Sequence, residues 1–178
     1  MKKLIFKFFL VYIFVYAQNL QSAEFQGEFK QGSFILGKTE PGAFVFIDNK
    51  KVRVSNDGYF VFGIGRDRKN NIIIKIDNNK KIEVFDKKIF KRKYKIQRID
   101  GLPEKKVTPP KEVYERIRND NLLIGKARSL DTELTFFKNK FNLPVKDSII
   151  TGVYGSQRIL NGKPRRPHYG LDFAAKEG

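Results

Sequence analysis

The sequence predicts a mainly β protein in which a small antiparallel β-sandwich or barrel is followed by a linking α-helix. Short apolar runs recur between residues 33 and 86 and are separated by polar turn sequences. Their spacing of roughly ten residues is typical of sandwiches and barrels. Beyond residue 103, apolar residues instead recur at helical spacing among charged residues, which predicts the helix.

The strands of the amino-terminal module are predicted from the turns between them. The runs at 51–55 and 59–63 flank Asn56-Asp57-Gly58, a hairpin cue because Asn, Asp and Gly accept positive φ. The runs at 71–77 and 80–86 flank an Asn-Asn turn and predict a second pair. Alternation within the runs predicts a core formed by Phe44, Phe46, Phe60, Phe62, Ile72, Ile74 and Val84.

Residues 87–98 form a strongly basic stretch at the end of this module. The alternation of Tyr94, Ile96 and Arg98 predicts an edge strand with its charges outward, which also discourages pairing with other chains. A strip that binds polyanions is the alternative interpretation. The aromatic residues of the module are interpreted as its core, and a platform that binds a ligand is the weaker alternative.

The linker begins with a Gly-Leu-Pro break at 101–103 and a stiff Pro-Pro pair. Thr108 is the predicted N-cap, because prolines in the first turn of a helix lose no hydrogen bond. We expect a helix from about 110 to 135, packed against one of the flanking domains. Its apolar positions are Val113, Ile117, Ile124, Ala127, Leu130 and Leu134.

The first residues have the layout of a secretory signal. Lys2 and Lys3 precede an apolar run, and small residues follow. We therefore expect a signal peptide within residues 1–23 that is cleaved after Ala17 or after Ala23. The product would be exported to the periplasm or cell envelope. The segment also implies a transient membrane contact, and an uncleaved segment would leave the chain membrane-anchored. The absence of cysteine means that no disulfide holds the exported product.

The charge of the chain favours an anionic partner. The formal charge is +17, and subtracting the three lysines of residues 1–23, which hold no acidic residue, leaves +14. Such a charge suits an anionic envelope polymer, although a solvated Lys-rich and Asn-rich surface is the plainer interpretation. Nucleic acid is a poor partner for an exported chain, and its basic residues are spread without an interleaved aromatic platform.

The chemistry is concentrated between residues 149 and 178. Two extended runs meet at Asn161-Gly162, a two-residue hairpin turn, and the second run delivers His168 and Asp172. These two side chains could supply two ligands to a zinc ion. On an extended strand they would lie about 13 Å apart, whereas two zinc ligands need donor atoms about 3–3.5 Å apart. The backbone must therefore bend, and Gly170 lies midway.

The pair alone is a weak metal signal. His168 is the only histidine, and there is no cysteine, so imidazole or thiolate elsewhere in these residues cannot complete the site. A catalytic zinc usually has three protein ligands. A single histidine with this spacing is more often a surface or hydrogen-bonded residue.

The whole string from Thr151 to Gly178 closely resembles the first metal motif of the lysostaphin- and LytM-type peptidoglycan metallopeptidases, metallopeptidase family twenty-three. The linker helix is similar to the segment that precedes their core, and the β module is loosely similar to their amino-terminal domain. The resemblance implies an antiparallel β metallopeptidase core with zinc in a groove. His168 would be the first zinc ligand and Asp172 the second. Arg158 would order the motif loop or bind a substrate carboxylate.

The implied function is that of an exported zinc endopeptidase that hydrolyses peptide cross-bridges of peptidoglycan. The family takes its third ligand and a catalytic histidine from a later His-x-His pair, which these residues lack. We therefore expect an incomplete and inactive chain, with no catalytic residue present and a disordered or poorly packed end after about residue 140. The alternative is a non-enzymatic envelope-binding module with a decayed metal site.

The expected organisation has four parts. A signal peptide spans 1–23, a β-rich module spans 24–102, and a Pro-rich linker with the helix spans 103–140. The beginning of the peptidase core spans 141–178. Either function would make peptidoglycan or another anionic envelope component the partner of this chain.

Overall fold

The prediction of a mainly β protein with a linking helix is confirmed. The structure, a computed structural model, describes residues 23–108 and 110–177. The predicted signal peptide therefore lies outside the described residues, except for Ala23. The first eight strands are β1 Ala23–Gln26, β2 Phe34–Thr39, β3 Phe44–Ile47, β4 Lys50–Val52, β5 Tyr59–Gly63, β6 Ile72–Asp77, β7 Ile82–Lys87 and β8 Ile96–Ile99. The remaining elements are α1 Glu104–Val107, α2 Tyr114–Arg128, β9 Ile149–Gly152, β10 Gln157–Leu160, β11 Lys163–Pro164 and β12 Asp172–Ala174.

Two antiparallel sheets form the amino-terminal sandwich. One has the strand order β1-β2-β5 and the other β4-β3-β6-β7. Apolar side chains from both sheets meet in one buried cluster, which includes Ile35 of β2, Val45 of β3, Phe60 of β5 and Ile74 of β6. Each of these four residues is 0% exposed. Because the chain has no disulfides, its stability depends on burying apolar side chains, and most of that burial occurs in this cluster.

The predicted core residues Phe44 and Phe46 do not belong to the buried cluster. Ala43 and Val45 face the core instead, and Phe44 is 42% exposed. The sequence is apolar at every position from 43 to 47, so a period of two does not select which face points inward. The outer phenyl rings are covered by lysines, with the Lys51 ammonium 4.2 Å from the centre of the Phe44 ring.

Val84 is also outside the core, with 62% of its surface exposed. In β7 the side chain that packs on the cluster is Phe85, whose ring lies edge-on to Phe25 at 5.2 Å between centres. Strand β7 pairs with β6 along its whole length, from Ile72 opposite Lys87 to Asp77 opposite Ile82. The predicted pair of strands is thus correct, but the predicted inward face of the second strand is wrong.

The hairpin predicted around Asn56-Asp57-Gly58 is also wrong in its partners. Strand β4 pairs with β3, whereas β5 pairs with β2, so this turn connects the two sheets. The turn itself forms, since the Gly58 N–H donates to the Ser55 carbonyl at 2.8 Å. Gly58 also accepts a hydrogen bond from the Thr39 N–H at 2.9 Å. That contact draws the chain onto the end of β2 and away from β4.

The basic stretch ends in an edge strand, as predicted, for residues 96–99. Strand β8 is the edge of a three-stranded sheet with the order β8-β10-β11. It runs parallel to β10, with Ile96 opposite Gln157 and Ile99 opposite Leu160. Strand β8 lies within the range assigned to the β module, yet its partners lie in the carboxyl-terminal segment.

The linker helix is shorter than predicted and is not packed. α2 begins at Tyr114, after a 3-10 turn, and ends at Arg128. Thr108 does not cap it; its N–H donates to the Glu104 carbonyl and ends α1. The expected packing is wrong because α2 has no buried residue and its Leu122 and Leu123 side chains are exposed. Within the described part of the chain, no helix has the length and apolarity needed to cross a membrane.

The carboxyl-terminal segment forms strands with little packing. β10 and β11 make the predicted hairpin about Asn161 and Gly162, which both have positive φ. β12 pairs with β9. Ile149 and Ile150 of β9 are exposed, and the buried apolar residues of the described chain end at Val107. This matches a poorly packed end and not a disordered one, because a few short strands have too little area to bury an apolar face.

Candidate metal centre

The structure brings His168 and Asp172 together. Asp172 is the first residue of β12, and His168 lies in the irregular segment before it. The His168 Nε2 atom lies 3.2 Å from the Asp172 Oδ1 atom. This separation falls within the range of about 3–3.5 Å expected for two donor atoms of one tetrahedral zinc.

The chain bends at Gly170, between the two residues. The bend does not use the conformational freedom of glycine, because Gly170 lies outside the left-handed φ region. A Cβ atom at Gly170 would lie 3.5 Å from His168 Cε1, which is ordinary van der Waals contact. The expectation of a bend is therefore met, but glycine is not what permits it.

The His168 Nε2 atom is buried and has no hydrogen-bond partner within the described chain. Its short distance to Asp172 does not amount to a hydrogen bond, because the geometry at the ring nitrogen is unsuitable. Buried nitrogen atoms without a partner are rare in folded proteins, and each one calls for an explanation such as a bound ion. A metal ion between the two donor atoms would satisfy both.

The backbone of His168 is fixed by the turn that precedes β10. The His168 N–H donates to the Ser156 carbonyl at 2.8 Å, and the Gly155 N–H donates to the His168 carbonyl at 2.7 Å. The Ser156 hydroxyl in turn donates to the Val153 carbonyl at 2.9 Å. Both the N–H and the carbonyl of His168 are therefore held by hydrogen bonds.

The carboxylate of Asp172 is fixed by strand pairing. Asp172 lies opposite Gly152 of β9, and the register of the pair shifts between Asp172 and Phe173. A Cβ atom at Gly152 would lie 2.3 Å from Asp172 Oδ2. Gly152 therefore leaves the space that the carboxylate occupies. Sequence reasoning missed this residue, although glycine inside a strand often marks a close approach.

His168 and Asp172 lie in a groove of about 860 Å³ between α2 and strands β9 and β10. The wall from α2 includes Asn121, Ile124 and Arg128. The groove is strongly basic, since its lining includes Lys95, Arg128, Arg158, Arg165 and Arg166.

Arg158 lies in β10 and its side chain is exposed to the groove. Its backbone carbonyl accepts a hydrogen bond from the Arg165 N–H at 2.9 Å. Within the described chain, its guanidinium makes no hydrogen bond or ion pair. No contact of the Arg158 side chain therefore supports a role in ordering the motif loop. Its position in the lining of the groove suits a contact with a substrate.

The donor atoms of His168 and Asp172 are of the kinds that zinc binds. An imidazole nitrogen and a carboxylate oxygen are both ordinary zinc ligands. No group of three or more His, Cys, Asp or Glu side chains that could hold a metal occurs within residues 23–108 and 110–177. The pair can thus contribute to a metal centre but cannot by itself make a catalytic one.

Comparison with known proteins does not assign a family to the chain. No protein-family model matches it, and no curated protein matches it.

Proposed function

We propose that this chain is the metal-motif part of an exported zinc metalloendopeptidase that hydrolyses peptide cross-bridges of peptidoglycan. The observation that carries the proposal is the approach of His168 Nε2 to Asp172 Oδ1 at 3.2 Å, with the nitrogen buried and lacking a hydrogen-bond partner in the described chain. The resemblance of residues 151–178 to the first metal motif of the lysostaphin- and LytM-type enzymes supplies the reaction class.

His168 and Asp172 would hold the zinc. When bound, zinc polarises a peptide carbonyl and lowers the pKa of a coordinated water. Arg158 would bind a carboxylate of the substrate, because it lines the groove and its planar guanidinium suits a carboxylate. The basic lining of the groove supports the same kind of ligand, since the field of several cations concentrates anionic peptides there.

The 178 residues supply two ligands and no further histidine or cysteine. A third ligand and the histidine that would manage protons have to come from outside them. We therefore expect metal binding by this polypeptide without peptide hydrolysis. Peptidoglycan in the periplasm or cell envelope would be the partner of the whole enzyme.

Zinc titration of the purified chain tests the ligand assignment. Because His168 is the only histidine, isotope-labelled histidine gives a single imidazole spectrum. We expect zinc to shift the Nε2 resonance, and Asp172→Asn to weaken binding at least tenfold. Asp131→Asn is the matched control, because Asp131, in the linker, pairs with Arg53 and does not line the groove. An imidazole spectrum that zinc leaves unchanged would overturn the ligand assignment.

The nucleotide sequence immediately beyond the Gly178 codon tests the enzyme proposal. An open frame that continues into a β-rich stretch with His-x-His would support a working zinc endopeptidase. A stop codon at that point would instead favour an envelope-binding module with half a metal site, and would overturn the assignment of hydrolase activity.

A further inference from the structure

Arg66 links the β module to the segment that carries the metal motif. It lies in the connection between β5 and β6, and its side chain is only 10% exposed. Its Nε–H donates to the Gly155 carbonyl at 2.8 Å. Its guanidinium carbon also lies 4.5 Å from the centre of the Tyr94 ring. A buried arginine is held by several contacts at once because burying an unpaired charge is costly.

The Tyr94 ring packs against the same turn. A Cβ atom at Gly155 would lie 2.1 Å from Tyr94 Cε1, and Gly155 has a φ of +86°. The Tyr94 hydroxyl is buried and has no hydrogen-bond partner in the described chain. Burial raises the pKa of this hydroxyl above its ordinary value. Arg66 and Tyr94, both from the β module, thus pack against Gly155 of the carboxyl-terminal segment.

Gly155 is also one of the two residues that hold the His168 backbone. The Gly155 N–H donates to the His168 carbonyl at 2.7 Å, while the Gly155 carbonyl accepts the hydrogen bond from Arg66. A continuous path therefore runs from Arg66 through Gly155 to His168. Movement of the turn at Gly155 would move the histidine backbone with it.

We propose that Arg66 is a positioning residue for His168, so that the β module sets the geometry of the metal-ligand loop. This inference rests on the proposed zinc function. Groups that do not touch the metal but orient one of its ligands typically change metal affinity by about 10–100-fold when removed. A charge-assisted hydrogen bond from a stacked guanidinium is well suited to this task, because its planar fork holds one orientation.

A simpler role for Arg66 would be to tie the β module to the carboxyl-terminal segment without positioning His168. Arg53 provides the comparison, because it is another arginine of the β module that bonds to a distant segment. Its Nη2 atom lies 2.6 Å from Asp131 Oδ2 in the linker. That ion pair ties the linker to the module but has no contact with Gly155 or His168.

The experiment compares Arg66→Ala, Arg66→Lys and Arg53→Ala in the full chain, each with isotope-labelled histidine. Without metal, we expect Arg66→Ala to shift the His168 imidazole resonances and to speed amide hydrogen exchange at Gly155 and His168 about tenfold or more. Arg66→Lys should produce a smaller shift, because it keeps the charge and loses the planar fork. Arg53→Ala should leave both readouts at their original values.

The outcomes separate this inference from the proposed function. Unchanged imidazole resonances and exchange rates in Arg66→Ala overturn the inference, whether or not zinc binds. Zinc that leaves the imidazole spectrum of the original chain unchanged overturns the ligand assignment, while the metal-free spectra still test Arg66. Equal shifts in Arg66→Ala and Arg53→Ala would reduce Arg66 to a tether. If Arg66→Ala does not fold, Arg66→Lys against Arg53→Ala decides the question.

Discussion

Gly152 lies opposite Asp172 in the β9–β12 pair, and a Cβ atom on Gly152 would lie 2.3 Å from Asp172 Oδ2. The carboxylate thus occupies the volume that a side chain at position 152 would take. Real Cβ atoms do not approach an oxygen so closely, so any larger residue would push the carboxylate aside. The position of one candidate metal ligand therefore depends on a glycine twenty residues earlier in the sequence.

The first prediction is that Gly152→Ala weakens zinc binding by about tenfold or more, because displacement of Asp172 separates the two donor atoms. Isothermal titration with zinc measures the change. Gly170→Ala is the control, since a Cβ there would make only ordinary contact with His168, at 3.5 Å. Equal affinities for both variants would show that the space beside Asp172 does not set its position.

A second prediction concerns the packing of Tyr94 on Gly155. Gly155→Ala should lower the free energy of unfolding by about 2 kcal/mol or more, because it combines positive φ with a clash at the Tyr94 ring. Gly101→Ala separates the two causes, since Gly101 has a φ of +75° and nothing within 4 Å of a Cβ atom. That variant should lose only about 1 kcal/mol. Urea unfolding measures both, and equal losses would remove the role of the ring.

A third prediction is that export leaves Gln18 as the first residue. Ala23 is buried and pairs with Thr39 as the first residue of β1. Cleavage after Ala17 keeps this strand whole, whereas cleavage after Ala23 removes a buried residue from it. Mass spectrometry of the exported protein identifies the cut. A mature chain that begins at Glu24 would contradict the prediction.

Local turn chemistry explains what could be predicted from the sequence. Asn161 and Gly162 both adopt positive φ and close a two-residue hairpin, because these residue types tolerate that conformation. The pair of β6 and β7 follows from the same reasoning about an Asn-Asn turn. These two pairs of strands were therefore placed correctly, and His168 and Asp172, four residues apart, do lie together. The turn at Asn56-Asp57-Gly58 also forms, but the strands beside it pair with other strands.

Contacts between distant residues could not be predicted from the sequence. Strand β8 pairs with β10 although about sixty residues separate Ile96 from Gln157. The contact from Arg66 to Gly155 spans 89 residues, and no sequence pattern marks it. The outward turn of Phe44 had a different cause, because its run is apolar on both faces and the neighbouring strands alone select the inward side.

The fourth prediction tests which residues of β6 and β7 face the core. Ile74→Ala should lower the free energy of unfolding by about 2–5 kcal/mol, because the removed atoms leave a cavity in a fully buried site. Val84→Ala, at a position that alternation also predicts to be buried, should cost less than about 1 kcal/mol because Val84 is exposed. Thermal and urea unfolding measure both variants. A large loss for Val84→Ala would reverse the assigned face of β7.

The last prediction concerns acid stability and the ion pair of Asp48 with Arg68. The guanidinium donates to both carboxylate oxygens, at 2.7 Å and 3.1 Å. Burial raises the pKa of Asp48, but the hydrogen bonds from Arg68 and from the Ile73 N–H outweigh it and hold that pKa below the ordinary 3.8. Since the folded pKa is depressed, the stabilisation is complete above about pH 4 and is lost as the pH falls through the folded value.

Asp48→Asn should therefore destabilise the protein by about 1 kcal/mol at neutral pH, a modest figure because the pair is partly solvated. The difference from the original chain should shrink as the pH falls below 3.8, where the carboxylate of the original chain takes up its proton. Urea unfolding at several pH values measures this difference. Asp86→Asn serves as the control, because Asp86 accepts only a neutral amide bond from Asn71. A difference for Asp48→Asn that stays constant down to pH 2 would mean that the ion pair does not stabilise the sandwich.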